Sequence, residues 1–426
     1  MKLLSRLRQI AMVGGVESLG VVATGVTGLL IVNVLPKEHY AVYTFLITCM
    51  QLMMGIADLG LSNCALPIVG QRHSDAPWVV GVCRQIFHRR WLMLGVAGVI
   101  VVPYAIYTFS QHGWISYSNS IAACLMVAAL FLTLRGHYAN NVLLILGDIS
   151  TISRIGGIAA TTRFSVVCAA LLLPLNQFTL AGLFLAVVVT EIINLVLYRR
   201  AFRVRRLEDV HLSAVERNDI DRRILKLALP LVPSAIFFQI QGVVTVFLVS
   251  LFGTSTMLAE IGAFGRLAMV LTILDRMAGI LLFPAIARAP AGKRLASMVF
   301  RIHLIYFAGM GVMLFTGVFF SEYWILFLGE KYRNLTPYVW MIFLGSILMN
   351  AAGFAFLTMS VRGMTSRQGF SVIFVIVTQM LYLWLVGVSD LKSVLFFNIA
   401  TCAAHFIYQY ILLYLRRASF NSASAA

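Results

Sequence analysis

Long apolar runs, separated by short polar segments, fill almost the whole of this 426-residue chain. A helix needs roughly 20 apolar residues to cross the hydrocarbon core of a bilayer. The runs have about that length, so they predict about twelve transmembrane helices and an all-α polytopic membrane protein. The predicted spans are 10–34, 40–60, 91–110, 115–134, 152–175 and 178–198, followed by 226–251, 259–286, 302–320, 338–360, 369–388 and 392–415.

A basic segment interrupts the apolar pattern near the middle of the chain, with six predicted spans on each side. Many transporters are built from two such halves, because a substrate site can form between them. The sequence therefore predicts four parts, namely an N-terminal six-helix lobe (1–198), a basic cytoplasmic linker (199–225), a C-terminal six-helix lobe (226–415) and a cytoplasmic tail (416–426).

Composition and charge agree with a chain surrounded by lipid. Hydrophobic residues make up 60% of the sequence and charged residues 12%, whereas soluble domains carry about 25% charged residues. The formal net charge is +17, and Lys and Arg gather in alternate loops. Loops rich in Lys and Arg stay in the cytoplasm, so both termini are predicted to be cytoplasmic. Topology also explains the basic charge without a nucleic-acid partner.

Sequence motifs for enzymatic or nucleotide-driven chemistry are absent. The chain has no GxxxxGK[ST], HExxH or GxSxG pattern, which would indicate nucleotide binding, a zinc peptidase or a serine hydrolase. Its six cysteines form no CxxC pair, so neither a disulfide framework nor a zinc site is indicated. We therefore predict a transporter without a cofactor rather than an enzyme.

Polar and charged residues inside the predicted spans are candidates for function, because burying them in lipid is costly. Several recur at helical spacing and form polar stripes on the first, second, seventh and twelfth spans. The candidate substrate-binding residues are Arg266, Arg276, Arg163, Gln51, Gln241, Asn398, His405 and Gln409. The candidate ion-coupling residues are Glu17, Asp58 and Asp275.

These residues also have structural interpretations. Stripes of small and weakly polar residues pack membrane helices against one another. Arg163 lies either within the membrane depth or on a tilted helix from which its side chain snorkels. His405 is alternatively a buried histidine of helix packing. For Arg266 and Arg276 the functional interpretation is favoured, since an unpaired Arg facing lipid is costly.

Five short motifs occur in matching order along the chain and carry a family resemblance. They are Ala57–Ser62 (ADLGLS), Arg223–Ser234 (RILKLALPLVPS), Glu260–Leu267 (EIGAFGRL), Phe283–Arg288 (FPAIAR) and Leu328–Tyr332 (LGEKY). Together they resemble the polysaccharide transporter branch, the Wzx-like O-antigen flippases, of the multidrug/oligosaccharidyl-lipid/polysaccharide (MOP) exporter superfamily. The chain departs from this family at 241–243, where Gln-Gly-Val stands in place of an acidic residue that many members carry midway along helix seven.

The resemblance implies a MATE-like, V-shaped pair of six-helix lobes around a central cavity. It implies an undecaprenyl-diphosphate-linked oligosaccharide as cargo, moved between the leaflets of the bacterial inner membrane, with a proton or sodium counter-ion. Membrane lipid, a glycan polymerase and a chain-length regulator are the implied partners. The candidate residues fit this cargo, since Arg binds phosphate oxygens bidentately and Gln and Asn offer hydrogen bonds to sugars.

Two other functions stay open on the sequence alone. A drug or cation antiporter of the same superfamily would need an acidic and aromatic site, whereas the charges embedded in the spans lean to Arg. A membrane glycan polymerase or glycosyltransferase would need a sizeable external loop, and the longest predicted external loop covers only 321–337. We therefore expect the flippase.

Overall fold

The computed structural model describes residues 20, 23–72, 74–173, 178–207, 213–229, 232–281, 286, 289–290, 292–360, 362, 364 and 367–420. For residues 71, 234, 270, 272–281, 418 and 419 it describes the backbone alone. The described residues are overwhelmingly helical and contain no strand.

Fifteen α-helices follow one another along the described chain. They are α1 (Ala23–Val34), α2 (Lys37–Asp58), α3 (Ala65–Val69), α4 (Ala76–Gln111), α5 (Tyr117–Ile145), α6 (Ile149–Leu172), α7 (Thr179–Val204), α8 (Ala214–Ala228), α9 (Val232–Phe252), α10 (Ser255–Leu281), α11 (Lys293–Phe319), α12 (Ser321–Leu326), α13 (Val339–Ser360), α14 (Phe370–Leu385) and α15 (Leu391–Leu415). Short 3-10 helices occupy Leu61–Cys64, Gly70–Arg72, Glu330–Tyr338 and Arg417–Phe420.

The apolar pattern predicted the fold class correctly. Among the described residues, nine helical stretches are long and apolar enough to cross a membrane, and α1 and α14 are shorter apolar helices. An all-helical polytopic membrane fold is thereby confirmed, because only fully hydrogen-bonded helices satisfy the backbone in lipid without a closed barrel. The number of twelve spans and the cytoplasmic position of both termini stay predictions.

The chain divides into two compact units, Met1–Val244 and Thr245–Ala426. In the first unit α7 packs along α5 and α6, and α2 packs along α4. In the second unit α13 packs against α10, α11 and α15, and α14 packs against α15. The predicted division into two lobes, a linker and a tail stays a prediction, since a boundary between compact units is not a boundary between lobes.

The basic segment in the middle of the chain is largely helical and belongs to the first unit. α7 continues into it as far as Val204, and α8 follows. Ser213 caps α8 through a capping box, in which its hydroxyl accepts from the Glu216 N–H at 3.2 Å and its own N–H donates to the Glu216 carboxylate at 3.0 Å. The hydrogen bonds from the Ser213 side chain and backbone hold the pKa of Glu216 below its usual value.

α8 is anchored to the first unit by one apolar face and one ion pair. Ile220 and Ile224 are buried in a cluster with Val79 of α4. Arg89 of α4 lies 3.1 Å from Asp221 of α8. The segment predicted as a cytoplasmic linker therefore fastens the charged end of α4 to the rest of the first unit.

The turn after α2 depends on a glycine. Leu59 and Gly60 both have positive φ, at 36° and 83°, and the Leu59 N–H closes the helix by donating to the Gly55 carbonyl at 2.9 Å. Side chains with a Cβ are strained in this left-handed region. The Ala57–Ser62 motif is thus a helix-ending turn that leads into the 3-10 helix Leu61–Cys64.

We predict that Gly60→Ala lowers the free energy of unfolding by about 1 kcal/mol, because a Cβ at positive φ costs roughly 1–2 kcal/mol. Thermal unfolding of the purified protein in detergent micelles measures the loss. Gly95→Ala is the matched control, since a Cβ at Gly95 meets no atom within 4 Å. Equal stability of Gly60→Ala and Gly95→Ala would contradict the role of the turn.

Candidate functional site

Two charged side chains lie well inside the helix bundle of the first unit. Arg163 lies on α6 about 14 Å from the helix end at Leu172, and Glu191 lies on α7 about 18 Å from the end at Thr179, at a rise of about 1.5 Å per residue. Both side chains are half-buried. The positive charge of Arg163 contributes to the electrostatic environment of the Glu191 carboxylate, and no ion pair joins the two side chains in the described structure. The first unit therefore holds a base and an acid, on adjacent helices, within its membrane-spanning part.

The Glu191 carboxylate lies between a donor on its own helix and an open position on α5. Asn194 Nδ2 donates to Glu191 Oε2 at 3.5 Å. A Cβ at Gly136 of α5 would lie at ordinary contact distance, 3.6 Å, from the same oxygen, so the carboxylate faces α5. About two turns beyond Glu191 on α7, the Tyr198 hydroxyl donates to Asn140 Oδ1 at 3.3 Å. Polar groups thus follow the α5–α7 contact.

Arg163 retains unused hydrogen-bonding capacity. Its Nε is buried and has no hydrogen-bond partner among the residues that the structure describes. A buried donor without a partner costs roughly 1–3 kcal/mol, and an arginine inside a membrane adds the cost of its charge. The membrane depth of Arg163 and its contact with cargo stay predictions.

A second polar contact of the first unit joins α2 to α9. The Gln239 side-chain amide donates to the backbone carbonyl of Gln51 at 3.2 Å. It lies directly over Gly55, where a Cβ would overlap it. The Gln51 side chain is exposed and that of Gln241 is half-buried. The structure thus brings the backbone of Gln51 close to α9 through the Gln239 side chain.

Asp58 is held in an ion pair at the end of α2. Arg90 Nε lies 3.3 Å from Asp58 Oδ1, and the exposed fraction of the side chain is 5% for Arg90 and 31% for Asp58. Ser62 donates its backbone N–H, at 3.2 Å, and its hydroxyl to the same oxygen. Asp58 therefore compensates a nearly buried guanidinium and fixes the turn after α2, and its role in ion coupling stays a prediction.

In the second unit, Arg266 lies on α10 about 16 Å from the helix end at Ser255. Its side chain is half-buried and reaches the sulfur of Met269, with 3.7 Å between Nη1 and Sδ. Nearer the start of α10, Glu260 is 5% exposed and accepts from Asn334 Nδ2 at 2.8 Å. The Glu260–Leu267 motif thus contributes a buried acidic residue and a half-buried arginine to the same helix.

Asp390 sets the start of α15, the helix that carries three of the predicted residues. Its carboxylate accepts from the Ser393 N–H at 2.9 Å. The hydrogen bonds from the Ser393 side chain and backbone hold the pKa of Asp390 below its usual value. A capped start fixes the register of the helix that follows.

The three predicted residues of α15 differ in exposure. The Asn398 amide is half-buried and lies against Gly345 of α13, where a Cβ would come within 2.8 Å of it. His405 and Gln409 are 3% and 5% exposed, and Gln409 Nε2 donates to Gln368 Oε1 at 2.9 Å. His405 and Gln409 thus take part in helix packing in this structure, and their contact with cargo stays a prediction.

Three predicted residues cannot be compared with side-chain positions. Glu17 lies outside the described residues, and for Asp275 and Arg276 the description covers the helix backbone of α10 alone. Within the described part of the chain, no group of three or more His, Cys, Asp and Glu side chains could hold a metal ion.

Sequence reasoning missed Glu191 and Gln239. Glu191 could have been found, because it is an ionisable residue inside the predicted span 178–198 and such residues are functional candidates by default. Gln239 carried no comparable signal. The contact of Gln239 with α2 depends on the rotation of α9 about its axis. The apolar residues around Gln239 do not specify that rotation.

Polytopic helical architecture of this kind is shared with several solved transporters. An inward-facing multidrug resistance MATE family transporter of the MOP superfamily matches with a TM-score of 0.66 at 14% identity, covering 95% of this chain and 96% of its own. An outward-facing structure of such a transporter matches with a TM-score of 0.61 at 14% identity, covering 97% and 94%. A MOP superfamily transporter from Pyrococcus furiosus, described as having a binding pocket of reverse polarity, matches with a TM-score of 0.58 at 16% identity, covering 96% and 94%.

The chain therefore has the fold of the MATE transporters of the MOP superfamily. No protein-family model and no curated protein sequence matches it. The resemblance to the polysaccharide transporter branch thus rests on the sequence motifs.

We predict that Asp58→Asn lowers the free energy of unfolding by about 3 kcal/mol, because removing one partner leaves a buried, unpaired charge. Thermal or denaturant unfolding in micelles measures the change. The double variant Asp58→Asn/Arg90→Met removes that charge and is expected to regain most of the loss. Strictly additive effects of the two substitutions would show that the pair is not coupled.

Proposed function

We propose that this protein is a flippase that moves an undecaprenyl-diphosphate-linked oligosaccharide across the bacterial inner membrane by alternating access. The observation that carries the proposal is Arg163, a membrane-embedded guanidinium whose Nε is buried without a hydrogen-bond partner among the described residues. A diphosphate that crosses lipid must exchange its water shell for cationic donors. Arg suits this exchange, because its planar fork binds phosphate oxygens bidentately.

The other described polar groups fit the remaining chemistry of such a cargo. Sugar hydroxyls need donors and acceptors, which the exposed Gln51 amide and the half-buried Gln241 and Asn398 amides supply. Arg266 adds a half-buried cation in the second unit. Arg276, His405 and Gln409 stay proposed cargo contacts on the sequence pattern.

The fold supports transport by alternating access. The solved neighbours include inward-facing and outward-facing transporters. The Pyrococcus furiosus neighbour, with its pocket of reverse polarity and suggested different function, supports a cargo of opposite charge on this same fold. An anionic lipid-linked glycan is a cargo that Arg163 would hold.

We propose that Glu191 takes part in ion coupling. The sequence had assigned this role to the carboxylates of Glu17, Asp58 and Asp275. Glu191 is half-buried on a membrane-spanning helix, and the positive charge of Arg163 contributes to its electrostatic environment. A proton or sodium ion that neutralises Glu191 would leave the Arg163 charge uncompensated and ready for the diphosphate. Loss of the ion would restore the Glu191–Arg163 attraction and favour release of the cargo.

A drug or cation antiporter is the second candidate function. Glu191 favours it, because a membrane-embedded carboxylate also suits a cationic drug, and some of the solved neighbours are multidrug resistance transporters. A glycan polymerase and a chain-length regulator are the partners expected of the flippase but not of the antiporter. Transport of ethidium instead of lipid-linked oligosaccharide by the purified protein would favour the antiporter.

We predict that Arg163→Gln reduces flipping of lipid-linked oligosaccharide in proteoliposomes about 10- to 100-fold, because a hydrogen bond to a charged group is worth roughly 1.5–3 kcal/mol. Arg163→Lys keeps the positive charge but lacks the bidentate fork. We expect its flipping rate to lie between those of the wild type and Arg163→Gln. The assay measures how much substrate becomes accessible to an enzyme outside the vesicles. Arg154→Gln, an exposed arginine of the same helix, is the control, and equal flipping by Arg163→Gln and Arg154→Gln would refute the cationic site.

We predict that Glu191→Gln removes the response of flipping to an imposed ion gradient, because the neutral amide cannot exchange a proton or hold sodium. Proton and sodium gradients are imposed separately on proteoliposomes and the initial flipping rates are compared. Glu322→Gln, at an exposed position of α12, serves as control. A gradient response of Glu191→Gln equal to that of wild type would exclude Glu191 as the coupling residue.

A further inference from the structure

An aromatic groove lies on the surface between α4 and α5, and neither Arg163 nor Glu191 lines it. It has a volume of about 270 Å³ and is lined by Trp91, Phe131, Leu132 and Arg135. The Trp91 and Phe131 rings stack with their centroids 5.2 Å apart and their planes at 12°. The groove therefore has an apolar wall made of flat rings and a guanidinium among its lining residues.

The wall of the groove is braced by further aromatic contacts. Phe87 packs edge-on against Trp91, with ring centroids 5.9 Å apart. It also packs against Tyr138 of α5, with ring centroids 5.1 Å apart. Aromatic pairs at these distances add roughly 0.5–1.5 kcal/mol beyond their buried area. The groove is thus a preformed feature of the α4–α5 contact.

The groove opens onto the surface that the first unit presents to lipid. α4 exposes large apolar side chains beside it, including Leu92 and Val96, and Phe131 is itself 41% exposed. Trp91 begins the predicted span 91–110, and Arg135 follows the predicted span 115–134. Both residues thus lie at the predicted cytoplasmic border of the membrane, where aromatic residues and anionic lipid headgroups meet.

Arg135 has no acidic partner among the residues that the structure describes. Nearby cations on α4 have acidic partners, since Arg89 lies 3.1 Å from Asp221 and Arg90 lies 3.3 Å from Asp58. Arg135 is exposed and forms no hydrogen bond or ion pair with any residue that the structure describes. A single cation beside a lipid-facing apolar groove complements one negatively charged headgroup.

We propose that this groove binds an anionic phospholipid of the cytoplasmic leaflet, with Arg135 on the phosphate and with the glycerol and upper acyl chain against Trp91 and Phe131. The exposed guanidinium of Arg135 and the lipid-facing apolar side chains beside the groove favour this occupant. The bound lipid would bridge α4 and α5 beside the Arg90–Asp58 pair.

Native mass spectrometry of the full-length protein, titrated with phosphatidylglycerol in detergent, tests the proposal. Arg135→Gln is expected to lower the affinity about fivefold, which corresponds to roughly 1 kcal/mol for one Arg at an anionic surface. Trp91→Ala is expected to weaken binding as well, whereas Arg135→Lys and Trp91→Phe should retain most of it. Arg154→Gln, which removes an exposed cation elsewhere on the first unit, is the matched control and should bind as wild type.

The competing occupants give different results in the same titration. Equal affinity for phosphatidylcholine, or equal losses in Arg135→Gln and Arg154→Gln, would overturn the proposal in favour of unspecific lipid contact. Binding of glycerol phosphate without acyl chains would show a simple anion site. A preference for undecaprenyl phosphate over phosphatidylglycerol would make the groove a portal for the cargo. None of these outcomes depends on whether the protein flips oligosaccharide, so the two proposals can fail separately.

Discussion

The absence of water at membrane depth is the constraint on which the rest of this structure depends. Backbone groups must be satisfied within each segment, which makes the chain helical, and every embedded charge must find a partner inside the protein or act on a ligand. Arg163 and Glu191 meet this requirement only in part, because Arg163 Nε stays without a hydrogen-bond partner in the described part of the chain. We propose that this incomplete compensation makes Arg163 suitable for an anionic cargo.

Two arginines at the predicted cytoplasmic end of α4 have acidic partners. Arg89 is paired with Asp221 and Arg90 with Asp58, and these pairs fasten α4 to α8 and to the end of α2. The first unit thus has ion pairs between helices at its charged end, whereas the buried Nε of Arg163 in its interior has no hydrogen-bond partner among the described residues. A rigid end would let the membrane-embedded helices change their contacts without loss of topology, as alternating access requires.

Periodicity and charge predicted the all-helical polytopic fold, because the bilayer sets the length of each apolar run and few alternatives satisfy the backbone. The membrane depth of Arg163 stays a prediction. Periodicity and charge could not predict the interaction of Arg163 with Glu191, since α6 and α7 are apolar on most faces and carry little signal for their rotation. The docking of α8 through Ile220 and Ile224 was missed for a related reason, because dense charge concealed its narrow apolar face.

The leaflet position of undecaprenyl-diphosphate oligosaccharide, measured in cells with and without the protein, tests the central claim most directly. A sugar-specific enzyme or lectin applied from the outer face reports which molecules have crossed the membrane. If the protein is a flippase, we expect single oligosaccharide units to remain on the cytoplasmic face when the protein is removed and to reach the outer face when it is restored. Single units that reach the outer face regardless, but fail to be lengthened there, would contradict it.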